Sequence, residues 1–336
     1  SDVFGEEIEY SGDHEPVPVA LSAPDPSDVK KASETLLNAK RPVIYAGQGV
    51  HYSEAWASLR ELAELLVAPV TTSLGGKSAF PEDHPLSLGS GGRSMPKSVR
   101  DFLDQADVIL GIGCSFSRTP FGVSMPEGKT VIHATNDPAD INKDLEVTHA
   151  LIGDARLTLE ALISEIQITE RAQLDRLIDD VSNQIQSIKT QWMEAWSPKL
   201  DSNDVPLSPY RVIRDLMRTV DVENTIITHD AGSPRDQLSP FWEATTPLSY
   251  IGWGKTTQLG YGLGLAMGAK LAKPDKLCIN VWGDAAIGFT GMDFETAVRE
   301  RIPILSILFN NFSMAIELPV MPVSTEKYRS TDISGH

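Results

Sequence analysis

Short apolar runs alternate along this chain with stretches of helical spacing, and that alternation restricts the fold more than any other feature. Pro42 to Ala46, Val70 to Thr72, Asp107 to Gly111, Thr130 to Ala134 and His149 to Ile152 read as strands; helices are expected over Val29 to Leu37 and from about Ser53 to Val67. Strand, helix and strand in succession is the rhythm of a parallel sheet. A second series starts with a helix at about Pro209 to Thr219. It continues through strands at Thr225 to Thr228, Leu277 to Trp282 and Ile304 to Phe309, with helices at about Gln258 to Leu271 and Gly291 to Arg301. Between the two series Leu174, Leu177, Ile178, Val181, Ile185, Ile188, Trp192 and Trp196 recur every three or four residues, which predicts one long amphipathic helix ending at Ser197-Pro198. The expected fold is α/β, with two doubly wound parallel-sheet domains joined by a long helix. Residues 1–26 are acidic and proline-rich and read as a linker, 27–165 as a central domain, 166–205 as the linker helix and 206–336 as a second domain.

The 336 residues carry a formal net charge of −17, which repels a phosphate backbone or an anionic membrane, so neither nucleic acid nor membrane is an expected partner. Cys114 and Cys278 each sit in an apolar run in different halves of the chain and read as reduced core residues, which suits a reducing cytosol. No apolar stretch is long enough to span a bilayer, and the acidic start from Ser1 to Glu15 is no signal peptide. A soluble, cytoplasmic protein is expected.

The strand ending at Trp282 runs directly into Gly283-Asp284-Ala285-Ala286, and the next strand ends at Asn310-Asn311. Carboxyl ends of parallel strands are where open α/β sheets bind ligands, and strands joined by one helix are usually neighbours, so Asp284 and Asn311 are placed to face one another. A carboxylate, an amide oxygen and a nearby backbone carbonyl are hard ligands suited to Mg²⁺ or Ca²⁺. The small residues Gly283, Ala285 and Ala286 let backbone amides approach phosphate. A Gly-Asp pair alone is an ordinary turn; the pairing with Asn310-Asn311 is what points to a metal diphosphate.

Gly283-Asp284-Ala285, the segment Gly291 to Ala297 and Asn310-Asn311 together resemble the thiamin-diphosphate signature of the acetolactate synthase and pyruvate decarboxylase superfamily. Asp230-Ala231-Gly232, Gly252-Trp253-Gly254, Leu259 to Gly264 and Gly268-Ala269-Lys270 resemble the first half of that family's pyrophosphate-binding domain. Arg41-Pro42, Gly47-Gln48-Gly49-Val50, Pro69-Val70, Gly76-Lys77 and Asp83-His84-Pro85-Leu86 resemble its Rossmann-like central domain.

The resemblance implies thiamin diphosphate and Mg²⁺ as cofactors. Asp284 and Asn311 would hold the metal through side chains and Ser313 through its carbonyl, while Gly283, Ala285 and Ala286 line the diphosphate. Leu259 matches the apolar wedge beneath the bent cofactor, and the Thr257 carbonyl matches the acceptor for its 4′-amino group. Asp230, Ala231 and Gly232 fall at the diphosphate loop, with a solvated turn aspartate as the other reading of Asp230. Glu317 falls where related decarboxylases carry a catalytic glutamate, though a helix-start carboxylate is the plain reading. His229 reads as a satisfied histidine, and Lys255 is placed at the pocket mouth by sequence position alone. The implied activity is that of a lyase or carboligase acting on 2-oxo acids, acetolactate-synthase-like, decarboxylating pyruvate or a related acid through an adduct at the cofactor's C2.

The same resemblance would allow FAD or ADP on the central domain, but Gly47-Gln48-Gly49 lacks the third glycine of a dinucleotide fingerprint and reads as a tight turn. The family's pyrimidine-binding domain, which donates a glutamate to the cofactor, is absent from these residues, and the pyrophosphate-binding domain is C-terminally incomplete. A missing N-terminal region or a separate subunit is therefore expected to supply it, in a dimer or tetramer. Gly288 to Thr296 also resembles oxalyl-CoA decarboxylase and 2-hydroxyacyl-CoA lyase. A non-catalytic scaffold subunit of this fold and a nucleotide-binding dehydrogenase are the further alternatives.

Overall fold

The computed structural model describes residues 5, 7, 12, 15–18, 20–168, 178–254 and 256–334. The first domain runs α1 (Pro26–Asn38), β1 (Pro42–Ala46), α2 (Gly49–Tyr52), α3 (Trp56–Leu66), β2 (Val70–Thr72), β3 (Ser87–Ser90), α4 (Lys97–Gln105), β4 (Val108–Ile112), β5 (Thr130–Thr135), β6 (His149–Ile152) and α5 (Ala155–Ile168). All its strands are parallel in the order β3-β2-β1-β4-β5-β6, so the sheet grows outward in both directions from β1 and β4. Alternate residues face opposite sides. Ile44 and Ala46 pack with Val29, Leu36, Leu59 and Leu159 from α1, α3 and α5, whereas Val43 and Tyr45 pack with Val99, Phe102 and Leu103 from α4.

Helix α1 starts three residues before the sequence pattern indicates. Asp25 accepts the amide of Ser27 at 2.8 Å and Pro26 occupies the first turn, where its missing N–H costs nothing. The helix expected from about Ser53 to Val67 starts only at Trp56 as α3, because Glu54 turns to φ 48° after the short α2.

The long helix α6 (Ile178–Leu200) joins both cores; residues 171–177 of its expected span lie outside the described residues. Ile185 packs on the first domain, whereas Trp192 and Trp196 pack on the second, with the Trp192 and Phe241 rings stacked 4.8 Å apart. The helix does not stop at Ser197-Pro198 as the sequence suggests but continues to Leu200. Pro198 has no N–H for the Glu194 carbonyl, and the Ser197 hydroxyl donates to that oxygen instead, at 2.8 Å.

The second domain comprises α7 (Pro209–Thr219), β7 (Thr225–His229), α8 (Ser233–Leu238), β8 (Tyr250–Ile251), α9 (Tyr261–Ala272), β9 (Leu277–Gly283), α10 (Asp284–Thr290), α11 (Phe294–Arg299), β10 (Leu305–Phe309) and α12 (Pro322–Tyr328). Its parallel strands lie in the order β10-β9-β7-β8. Ile279 and Val281 face the core shared with α6 and α7, and Cys278 and Trp282 face the other side. Cys114 and Cys278 are both buried and free. Among the described residues no helix is long and apolar enough to cross a membrane.

Candidate active site

Register along the second sheet fixes the corner of the site. Phe309 of β10 pairs with Gly283 of β9, so the residues leaving both strands emerge side by side. The Asp284 carboxylate accepts the amides of Asn311 at 2.9 Å and Ser313 at 3.2 Å through Oδ2, and its own neighbour Ala285 at 2.8 Å through Oδ1. The Ser313 amide also donates to Asn311 Oδ1 at 3.1 Å, so the two side-chain oxygens share a donor on one side of the loop. Asp284 Oδ1 and Asn311 Oδ1 each accept one amide and keep a further lone pair. An all-oxygen pair of this kind fits Mg²⁺ rather than zinc. Among the described residues no group of three His, Cys, Asp or Glu side chains is clustered to hold a metal.

These residues open onto a cavity of ≈ 870 Å³ lined also by Ala231, Gly232, Thr257, Leu259, Gly283, Ala285, Ala286, Ser313 and Glu317. Of the residues singled out in the sequence, the cavity gathers all but Asp230, His229 and Lys255, and Lys255 lies outside the described residues. Leu259 is braced from beneath by Leu263, Trp282 and Ala286. The Thr257 hydroxyl is buried with no partner among the described residues. Volume, oxygen donors and small residues fit thiamin diphosphate with a divalent ion.

Asp230 stands behind the cavity. It is fully buried, and its carboxylate accepts the amides of Ala231 (2.8 Å), Gly260 (2.9 and 3.1 Å) and Gly262 (3.1 Å). Burial raises its pKa, against the pull of those three amides. The same Gly260 gives its carbonyl to the Thr290 hydroxyl at 2.5 Å. Gly260 has φ +92°, and a Cβ there would meet Phe289 Cβ at 2.8 Å, so the position requires glycine. The loop carrying Thr257 and Leu259 is thereby pinned to β7 at one side and to the end of α10 at the other. His229 is buried too; desolvation lowers its pKa to about 4, and its Nδ1 lies 3.0 Å from the Asp230 carbonyl.

Sequence reasoning missed two groups. Arg235, in the cavity wall, is fully buried with its guanidinium 4.4 Å from the Phe121 ring of the first domain. Lys77 and Glu82, buried between the domains, form an ion pair in which Glu82 also accepts the Ser90 hydroxyl at 2.7 Å and the Ala244 amide at 2.8 Å. A charged residue in a short polar segment gives no sequence signal of burial, so neither could be found that way.

Residues 29–162 match the model for the thiamine pyrophosphate enzyme central domain, and residues 230–333 match that for the C-terminal TPP binding domain of the same enzymes. The chain belongs to the thiamin-diphosphate enzymes of the acetolactate synthase and pyruvate decarboxylase superfamily. Among similar proteins, a probable acetolactate synthase large subunit of Methanococcus aeolicus is 33% identical over 334 residues, covering 93% of this chain and 54% of the relative. The probable acetolactate synthase large subunit of Methanocaldococcus jannaschii is 32% identical, over 90% of this chain and 52% of its own length. The acetolactate synthase isozyme 3 large subunit of Escherichia coli is 30% identical, over 84% of this chain and 49% of its own. The chain thus spans about half the length of the curated relatives it matches.

In the first domain of this thiamin-diphosphate enzyme, the Gly47-Gln48-Gly49 turn is taken up by packing. The Gly49 amide donates to the Gly113 carbonyl at 2.8 Å, and a Cβ on Gly47 would lie 2.2 Å from that oxygen. The adjoining crevice holds ≈ 280 Å³ and presents no Lys or Arg among its described lining residues. Small for a dinucleotide and without a cation for phosphate, it adds no support for FAD or ADP.

Proposed function

We propose that the protein is a thiamin-diphosphate- and Mg²⁺-dependent lyase or carboligase of 2-oxo acids, acetolactate-synthase-like, with pyruvate or a close relative as its first substrate. The observation that carries this reading is the opening of the Asp284–Asn311 corner and the Leu259 wedge onto one cavity. Asp284, Asn311 and the Ser313 carbonyl would hold the metal, and the amides of Ala285 and Ala286 would take the diphosphate. Leu259 would bend the cofactor, and the Thr257 carbonyl would accept its amino group. When bound, the cofactor supplies a carbanion and the electron sink for decarboxylation. The protein's part is to position, to desolvate and to hold charge. Glu317 on the cavity wall is the candidate to meet the substrate carboxylate or move a proton there.

The words "large subunit" in the relatives' names support an assembly in which another chain or region completes the site. Exposed Phe289, Met292 and Phe312, on α10 and the loops at this edge, supply apolar surface for such a contact.

The test is a substrate screen on the intact protein with thiamin diphosphate and Mg²⁺, following carbon dioxide release and acetolactate from pyruvate, other 2-oxo acids and oxalyl-CoA. Cofactor-dependent release from pyruvate is the expected result. Release from oxalyl-CoA alone, or no thiamin-diphosphate binding, overturns the assignment.

A further inference from the structure

Arg235 is the one basic residue among the described residues that line the candidate cavity. Its Nε donates to Asp236 Oδ1 at 2.7 Å, which balances its charge, yet Nη1 and Nη2 are both buried with no hydrogen-bond partner among the described residues. Four N–H donors shut away from bulk water without an acceptor are an arrangement that folded proteins rarely keep unless an ion or water is meant to fill it.

We infer that Arg235 is the anchor for the carboxylate of the acid substrate. This rests on the function proposed above. The two free terminal nitrogens form a flat fork that matches the two oxygens of a carboxylate. Arg235 lies on α8 beside Pro234, which sits against Gly283 of β9, so the fork and the Asp284 corner open onto one cavity, and the test below separates a substrate carboxylate from the cofactor diphosphate. Apolar Phe121, Leu207, Val212 and Leu259 line the same cavity and leave room for a small side chain. The Phe121 ring lies across the guanidinium and must turn aside for an anion to reach both nitrogens.

The test compares pyruvate with methyl pyruvate, which lacks the charge, in the intact wild-type protein and in Arg235→Met and Arg235→Lys. The wild type should prefer pyruvate in kcat/KM by about 100-fold or more. That preference should collapse towards one in Arg235→Met and be partly kept in Arg235→Lys, with thiamin-diphosphate affinity unchanged. No preference in the wild type, or an undiminished one in Arg235→Met, overturns the proposal, as does loss of thiamin-diphosphate affinity instead, which would assign the fork to the diphosphate. Tryptophan emission on adding oxamate, an unreactive carboxylate, needs no turnover and judges the anion site even if the proposed activity fails. A response abolished by Arg235→Met supports it, and none in the wild type overturns it.

Discussion

The carboxylate of Asp230 holds the amide of Gly260 between its two oxygens, at 2.9 and 3.1 Å, from a fully buried position behind the cavity. Because Leu259 precedes Gly260 directly, the placement of this proposed wedge residue is set by an acid that never reaches the cavity. Asp230→Asn keeps the size but leaves one acceptor oxygen and turns an NH₂ group towards a backbone N–H. It should destabilise the protein by about 2 kcal/mol or more, measured by urea unfolding. Thiamin-diphosphate affinity should fall with it, and unaltered affinity would show that the loop does not depend on this clamp.

His229 gives stability a pH dependence of known sign. Its folded pKa is lowered by burial to about 4 from 6.5, so between those values the unfolded chain takes up a proton that the folded chain refuses. The stabilisation is fully present above pH 6.5, declines as pH falls through that window and is gone below about 4. Its size is ~3 kcal/mol. Chemical denaturation at stepped pH should show this loss in the wild type and a flatter profile in His229→Gln.

Asp284→Ala should remove the carboxylate of the proposed metal corner and release the amides of Asn311 and Ser313 together. Thiamin-diphosphate affinity in the presence of Mg²⁺, followed by tryptophan quenching, should drop by about 100-fold or more, since the ion loses its charged ligand. The Asp284 carboxylate has no role in the sheet cores, so the unfolding midpoint should move little. An affinity that survives the change would remove the metal role from this residue.

The central strands were readable because they are continuous apolar runs, buried on both faces as parallel strands inside a sheet must be. The strand Pro42–Ala46 is an example, with every residue buried. What escaped was structure decided by partners. Ser87–Ser90 is a strand only because it pairs with Val70–Thr72, and the Thr72 hydroxyl donates to the Ser90 hydroxyl at 3.0 Å; its own residues favour a turn. Helix α10 escaped because glycine at 288 and a start directly on a strand end give no period to read. The corner of Asp284 and Asn311 was legible from two motifs at strand ends. Arg235 was not, since Ser-Pro-Arg-Asp reads as a polar turn until a ring from the other domain closes over it.

The Lys77–Glu82 pair offers a test of how the domains are locked. Lys77 is 1% and Glu82 6% exposed, and Glu82 ties the first domain to the second through the Ala244 amide, while its own amide donates to the Ala244 carbonyl at 3.0 Å. Lys77→Met leaves a buried carboxylate with only a hydroxyl and an amide to hold it, and should cost about 3 to 5 kcal/mol. Removing both charges in Lys77→Met with Glu82→Gln keeps an acceptor for Ala244 and should recover much of that loss, because desolvating the pair is itself expensive. A double-mutant cycle on unfolding free energies separates these contributions. If the double variant is as unstable as Lys77→Met alone, the lysine matters through its other contacts, among them its ammonium 5.2 Å from the centre of the Tyr250 ring, rather than through the pair with Glu82.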